Sequence, residues 1–210
     1  MQNTVPVPIE SLEDQLAERA LAARRETYVG EVRRLIDAAF SVMRTTGDID
    51  PQVRDIVKAA GLSNQAFYRH FASKDALMVA VLADGRRQLV EHLQRRLNSA
   101  KDPDEQLRRW ITGVLAQARN PEAADATRPF AINGARLADR YPTEVAASRA
   151  QLLSTLSPTV HALGGSDRDV ECIHDVTLAR MHDALARRHT PDTKEIEHLV
   201  AFCRAGIRGT

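Results

Sequence analysis

Side chains able to read or grip double-stranded DNA are concentrated in one short stretch, residues 54–74. The amides of Asn64 and Gln65 match the paired donor and acceptor on an adenine edge, and Arg69 matches guanine or a phosphate. Ala66 is short enough to meet a thymine methyl group. The side chains suited to phosphate oxygens are Arg54, Ser63, Tyr68, His70 and Lys74. This chemistry indicates recognition of a nucleic acid and not catalysis.

Two short helices joined by a tight turn would position these groups. The apolar positions Val53, Ile56, Val57 and Ala60 recur at the helical spacing i, i+3, i+4, i+7, which predicts one buried face. Gly61 is a helix stop, and Ser63 is a good N-cap for the next helix. Phe67 and Phe71 lie four residues apart, so both can point into a core. The polar side of the second helix then faces outward, as in a recognition helix.

At these residues the chain resembles the TetR family of bacterial transcriptional regulators. The resemblance covers roughly residues 30–82, and its most specific part is Tyr68, His70 and Phe71 followed by Ser73-Lys74-Asp75 and Leu77. It implies a homodimeric regulator, usually a repressor, with phosphate contacts from Tyr68, His70 and Lys74. It also implies a C-terminal domain that dimerises and holds a small-molecule effector.

The chain departs from the family pattern before the first of the two helices. Asp48 stands where an aromatic residue is usual, and Pro51-Gln52 replaces a Thr-Thr pair whose hydroxyl commonly touches phosphate. Asp50 followed by proline still predicts a helix start, with Asp50 as the N-cap. The phosphate contact expected from this helix therefore shifts to Arg54.

Composition predicts an all-α chain of 210 residues. Aromatic residues are scarce, alanine, leucine and arginine are abundant, and no long alternating β-branched run occurs. The net charge is +1, with twelve Lys and Arg against nine Asp and Glu in residues 26–101. Two cysteines do not make a disulfide framework. The start of the chain lacks a signal-peptide pattern and no apolar run is long enough to span a membrane, so we expect a reduced, cytoplasmic protein without membrane contact.

Three regions are expected. Residues 1–25 form a partly helical N-terminal extension, either a separate helix packed on the next domain or continuous with it, although Gly30 argues against continuity. Residues 26–82 form a three-helix, homeodomain-like helix-turn-helix domain. Residues 83–210 form a helical bundle for ligand binding and dimerisation. A helix from about Ser73 to Ser99 crosses this boundary, and five more follow, including one from Thr127 to Tyr141 and a last one starting at Thr190-Pro191.

The C-terminal half offers residues for a pocket of mixed polarity, and the same residues could equally form a packed core. They are Trp110, Phe130, Asn133, Leu137, His174, Leu178 and Met181. Asn133 and His174 are the most informative, because a buried polar group needs a partner. His174 and His182 lie eight residues apart without a closer His pair, so we expect no metal site, and no motif predicts a cofactor or an enzyme.

The last two helices carry apolar residues on more than one face, which predicts a two-fold four-helix dimer interface. The function expected is a repressor that binds a palindromic operator as a dimer and is released by a small-molecule effector. An alternative is a similar regulator whose C-terminal domain only dimerises or binds a protein. A third is a helical enzyme or carrier with a degenerate DNA-binding domain.

Overall fold

The structure, a computed structural model, describes residues 11–208 and contains ten helices and no strand over that range. The helices are α1 (Leu12–Thr46), α2 (Val53–Ala60), α3 (Asn64–His70), α4 (Lys74–Asn98), α5 (Pro103–Arg119), α6 (Pro121–Ile132), α7 (Gly134–Arg140), α8 (Pro142–Ala162), α9 (Asp167–Arg187) and α10 (Thr193–Arg208). The all-α prediction is confirmed.

Three predicted helix boundaries were wrong. The N-cap of α2 is Gln52 and not Asp50, because Asp50 is engaged by Lys74 of α4 instead. The helix predicted from Thr127 to Tyr141 is two helices. Asn120 caps α6 through a side-chain bond to the Ala123 amide, with a proline next to it, and α7 follows after Asn133. The last helix begins at Thr193, three residues later than predicted.

The N-terminal extension continues into the next domain as a single helix, α1, which runs through Gly30. Residues 1–10 of the predicted extension lie outside the described residues. The rest, residues 11–25, does not pack on the domain: every one of these residues is exposed, including Leu12 at 69% and Leu21 at 64%. Ser11 caps the helix by accepting a hydrogen bond from the amide of Asp14. Local helix propensity therefore outweighs one glycine here.

Replacing Gly30 with alanine should stabilise this helix, because glycine in a helix interior costs about 0.5–1 kcal/mol relative to alanine. Gly30 is exposed and an added Cβ would meet no atom within 4 Å. We expect amide hydrogen exchange across residues 12–30 to slow about two- to fivefold. Gly61→Ala is the control with the opposite expected sign. An added Cβ at Gly61 also meets no atom within 4 Å, but the backbone there has φ +63°, where alanine is strained, so the substitution should destabilise the fold. Faster exchange in Gly30→Ala would contradict a continuous helix.

Two hydrophobic cores lie along the chain and are joined by α4. The first is built by α1–α3 and the start of α4, with Leu35, Ile56, Phe67 and Leu77 fully buried. The second is built by the end of α4 together with α5, α6, α8, α9 and α10. One continuous helix thus contributes side chains to both cores.

A second connection runs through α7, which packs on the first core and not on the second. Leu137 and Tyr141 are buried there. Around them, Arg136 pairs with Asp48 at 3.2 Å and Arg140 pairs with Asp75 at 2.7 Å, while the Tyr141 hydroxyl donates to Asp75 at 2.6 Å. We call this cluster of α7 side chains and N-terminal aspartates the α7 bridge. It fixes the helix that follows α6 against the turn before α2 and the first turn of α4.

Candidate nucleic-acid interface and internal cavity

The α2–α3 pair has the geometry of a helix-turn-helix, and local signals build it. Gly61 ends α2 at φ +63°, and the Leu62 amide returns a hydrogen bond to the Val57 carbonyl at 2.9 Å. The Ser63 hydroxyl caps α3 by accepting from the Ala66 amide at 3.1 Å. Phe67 and Phe71 are 0% and 8% exposed and contact each other with ring centroids 6.0 Å apart. The inner face of α3 is thus fixed.

The outer face of α3 presents a polar rim, which we define as Asn64, Gln65, Tyr68 and Arg69. All four are exposed, and Tyr68 keeps 60% of its surface in solvent. On α2, Arg54 is 81% exposed at its side chain and reaches only its neighbour Asp55, at 3.4 Å. This rim offers amide, hydroxyl and guanidinium groups to a partner without rearrangement of the core.

Two residues expected on this surface are not brought to it. Ala66 is 6% exposed and belongs to the inner face of α3. The His70 side chain is 0% exposed, with its Nε2 atom 2.5 Å from a carboxylate oxygen of Glu31 on α1. The Tyr28 ring packs edge-on against it at 4.4 Å. The structure therefore makes His70 an anchor between α3 and α1, not a group free to reach a phosphate.

Glu31 also holds Arg69, whose Nη2 atom lies 2.5 Å from the same carboxylate oxygen. Hydrogen bonds from His70 first and Arg69 second hold the pKa of Glu31 below its usual range. Glu31 is the residue that sequence reasoning missed. It lies thirty-eight residues before Arg69, and no local pattern connects the two. Its charge orients the end of the rim and partly neutralises it.

Lys74 occupies the first turn of α4 and is partly exposed. Its Nζ atom lies 2.6 Å from an Asp50 carboxylate oxygen. This hydrogen bond is the largest cause that lowers the pKa of Asp50, and the charges of Arg140 and Arg136 add to it. Lys74 is therefore tied to the α7 bridge as well as to the start of α4, and a phosphate would have to compete with Asp50 for it.

A cavity of about 550 Å³ opens where the two cores meet, between α4, α6 and parts of α1, α5, α8 and α9. Its size falls within the range of small-molecule sites. Phe40 of α1 and Phe130 of α6 meet at one part of the wall with ring centroids 5.3 Å apart. The cavity therefore touches an element of the first core.

Of the seven predicted pocket residues, the structure brings only Phe130 and Met181 to this cavity. Trp110 is 0% exposed in the second core and donates its indole N–H to the Thr155 hydroxyl at 2.9 Å. Leu137 is in the first core, and Leu178 packs against the second. The Asn133 side-chain amide donates a hydrogen bond to the Pro129 carbonyl of the preceding helix α6, at 2.8 Å.

His174 is buried beside Trp110, and its Nδ1 atom lies 2.7 Å from Asp175 and 3.1 Å from Arg149. Burial is the main cause that lowers its pKa. Most of the lining residues that the sequence did not predict lie on one face of α4. The helical spacing of Leu82, Gly85, Leu89 and His92 is the sequence pattern that could have indicated this face.

Neither cysteine is in a disulfide: Cys172 is exposed and Cys203 is buried. Burial raises the pKa of the Cys203 thiol to about 11, which suits a core position. Within residues 11–208 no group of three or more His, Cys, Asp or Glu side chains is arranged to hold a metal ion. None of the described helices is both long and apolar enough to cross a bilayer.

An exposed polar recognition helix set on a buried two-helix support defines a helix-turn-helix DNA-binding protein. Comparison with known sequences agrees. Residues 35–81 match the profile of the "Bacterial regulatory proteins, tetR family". An uncharacterized HTH-type transcriptional regulator of Mycobacterium tuberculosis is 31% identical over 142 residues, which cover 66% of this chain and 68% of that protein. The regulator BetI of Stenotrophomonas maltophilia is 38% identical over 88 residues, 40% of this chain and 45% of that one.

Solved structures share the fold at low identity. Reduced NemR of E. coli superposes with a TM-score of 0.69 at 15% identity, covering 83% of this chain and 95% of that one. FadR of Bacillus halodurans superposes at 0.66 with 18% identity, covering 85% and 96%. The chain belongs to the TetR family of bacterial transcriptional regulators. It is a DNA-binding regulator of transcription and not an enzyme.

Proposed function

We propose that the chain is a ligand-responsive repressor that binds a palindromic operator as a homodimer and leaves it when a small molecule occupies the internal cavity. The observation that carries this proposal is the cavity of about 550 Å³ lined by α4, the same helix whose first turn supports the helix-turn-helix. Residues 26–82 serve as the DNA-binding domain and residues 83–210 as the effector and dimerisation domain, with the boundary inside α4.

The polar rim of α3 is the proposed surface for the major groove. Asn64 and Gln65 stand at its first turn, where a recognition helix meets base edges. Tyr68 and Arg69 lie one turn further on, within reach of phosphate or guanine. Arg54, Ser63 and Lys74 flank the rim as phosphate contacts. Ala66 and His70 are left out of this set because both are buried.

Arg54→Gln tests the phosphate part of this surface. We expect binding to weaken by a similar factor on every DNA sequence, with the slope of log affinity against log salt reduced by about one, because one counterion-releasing contact is lost. Gln65→Ala is the matched base-reading variant: it should cost about 1–3 kcal/mol on the selected site and relax the preference at one base position. Both are measured by fluorescence anisotropy across a salt series.

Arg119→Gln supplies the control, since it removes the same charge from an exposed position on α5, in the other half of the molecule. An Arg54→Gln protein with unchanged affinity and unchanged salt slope would remove Arg54 from the interface.

The dimer is proposed to form through α9 and α10, which pack side by side and carry exposed apolar residues. On α10, Phe202 is 63% exposed, and Ala201 and Ala205 are exposed beside it. On α9, Cys172 and Ala179 are exposed seven residues apart, which is one helix face. A two-fold axis through this surface would pair it with itself.

Two contacts connect the cavity to the DNA-binding domain. The Phe40–Phe130 contact joins the cavity wall to α1, and the α7 bridge joins the end of α6 to Asp48, Asp50 and Asp75. If an effector fits better when α4 and α6 stand apart, the two recognition helices of the dimer lose the spacing that successive major-groove faces require. By linkage, DNA must then weaken effector binding by the same factor.

The test begins with selection of bound duplexes from random DNA by the intact protein. Operator affinity and sedimentation are then measured with and without candidate effectors. We expect an effector to lower operator affinity while the protein stays dimeric. A dimer that dissociates on effector binding would overturn the mechanism. An operator-binding dimer that no small molecule affects would favour the alternative, a C-terminal domain that only dimerises or binds a protein.

A further inference from the structure

The lining of the cavity changes from apolar to basic along α4. Its lining follows one face of that helix from Val81 to Arg95, about 20 Å at ~1.5 Å rise per residue. Near the first core the wall is apolar, with Val81, Leu82, Phe40 and Phe130. Toward the other end, His92 and Arg95 replace the apolar groups. The cavity is thus a slot with an apolar end and a basic end.

The basic groups of this slot lack carboxylate partners among the described residues. Arg95 forms no ion pair there, and Arg86 makes only a 3.4 Å contact to the backbone carbonyl of Glu144. One acidic side chain, Glu91, also lines the slot, but Arg87 holds it at 2.8 Å. Two arginines therefore line the slot without a compensating anion, Arg86 partly buried and Arg95 exposed at the mouth.

His92 is a second, independent sign of a missing partner. Its Nε2 atom has no hydrogen-bond partner and is closed to solvent in this arrangement, so an anion in the slot reaches it once the ring turns toward the slot. A buried polar atom without a partner is costly, which favours such a turn. Burial, and then the charges of Arg96 and Arg95, lower the pKa of His92, which favours the neutral ring. A neutral imidazole carries one N–H donor.

We propose that the cavity binds an organic anion with an apolar body, its carboxylate or phosphate held between Arg86, His92 and Arg95 and its apolar part directed along α4 toward Phe40 and Phe130. This inference rests on the effector cavity of the proposed function and adds the ligand class. The anion completes the unpaired donors, and the apolar body reaches the contact between α1 and α6. A ligand with both parts is therefore the kind that can act on the DNA-binding domain.

Four probes with the same ten-carbon chain separate the contributions of charge and chain: decanoate, decyl phosphate, decanol and decyltrimethylammonium. Binding to the full-length protein is measured by isothermal titration calorimetry. We expect decanoate or decyl phosphate to bind at least about tenfold more tightly than decanol, because charge-assisted hydrogen bonds form only with the anions. The cation should bind most weakly. The ratio between the two anions distinguishes a carboxylate from a phosphate ligand.

Three variants locate the site. In the Arg86→Gln, Arg95→Gln double variant the anion preference over decanol should fall about tenfold or more, with decanol affinity changed less than twofold. Arg25→Gln removes one exposed charge from the N-terminal extension and should change nothing. Gly85→Phe fills the slot, since an added Cβ at this lining position meets no atom within 4 Å, and should abolish binding of every probe.

The remaining outcomes separate the anion assignment from the effector role of the cavity. Equal binding of decanol, or tighter binding of the cation, overturns the anion assignment while leaving the cavity as a site. No binding of either anion overturns it as well. Anions that bind as expected but leave operator affinity unchanged would uphold this inference and refute the effector role of the cavity.

Discussion

Phe202→Asp is expected to convert the proposed dimer into a folded monomer. Phe202 is 63% exposed on α10, so the substitution removes little from the protomer core. In a two-fold interface each substitution occurs twice, and loss of a central aromatic contact costs about 2 kcal/mol or more each time. The dimer dissociation constant should then rise by about a thousandfold. Sedimentation velocity over a concentration series measures it, and circular dichroism checks that the fold is retained.

Operator binding should fall with the dimer. A monomer contacts only one half-site. In the dimer, binding of one recognition helix places the second near its half-site at an effective concentration of the order of millimolar, and the monomer loses this gain. Ile132→Asp is the matched control, because Ile132 is also a large apolar side chain, 53% exposed, at the end of α6 and away from the α9–α10 face. A Phe202→Asp protein that stays dimeric at nanomolar concentration would show that the dimer uses another surface.

The helix-turn-helix could be predicted residue by residue because its determinants are local. Gly61 at positive φ, Ser63 as the N-cap and the buried pair Phe67 and Phe71 lie within eleven residues, and each acts through its own turn of helix. Local rules failed where a distant charge intervened. Asp50 suits an N-cap, yet Lys74 engages it, and His70 suits a phosphate, yet Glu31 engages it.

The cavity could not be predicted in the same way. Helical periodicity places Trp110 on the inner face of α5, but it does not say whether that face borders a packed core or an open space. That depends on how α4, α6, α8 and α9 meet, which is a long-range property. The small residue Gly85 and the half-buried His92, not the large apolar ones, mark the cavity on α4. The sequence pattern favoured large side chains as pocket residues, but most of those side chains are packed in the cores.

Trp110→Ala should therefore lower stability far more than it alters ligand binding. The side chain is fully buried, and its indole N–H is satisfied by Thr155 at 2.9 Å. Truncation leaves a large hole in the second core and should reduce the free energy of unfolding by about 3–5 kcal/mol. Urea denaturation followed by far-ultraviolet circular dichroism measures this, since Trp110 is the single tryptophan and its fluorescence is lost with it.

Trp110→Phe separates volume from hydrogen bonding. It keeps most of the buried ring and removes the donor, so it should cost about 1–3 kcal/mol, less than the alanine variant, and leave decanoate binding within twofold of the original. The opposite pattern has a different meaning. If alanine at this position changed stability by less than about 1 kcal/mol and abolished ligand binding, Trp110 would have to line a site, because no tightly packed core tolerates loss of an indole at so small a cost.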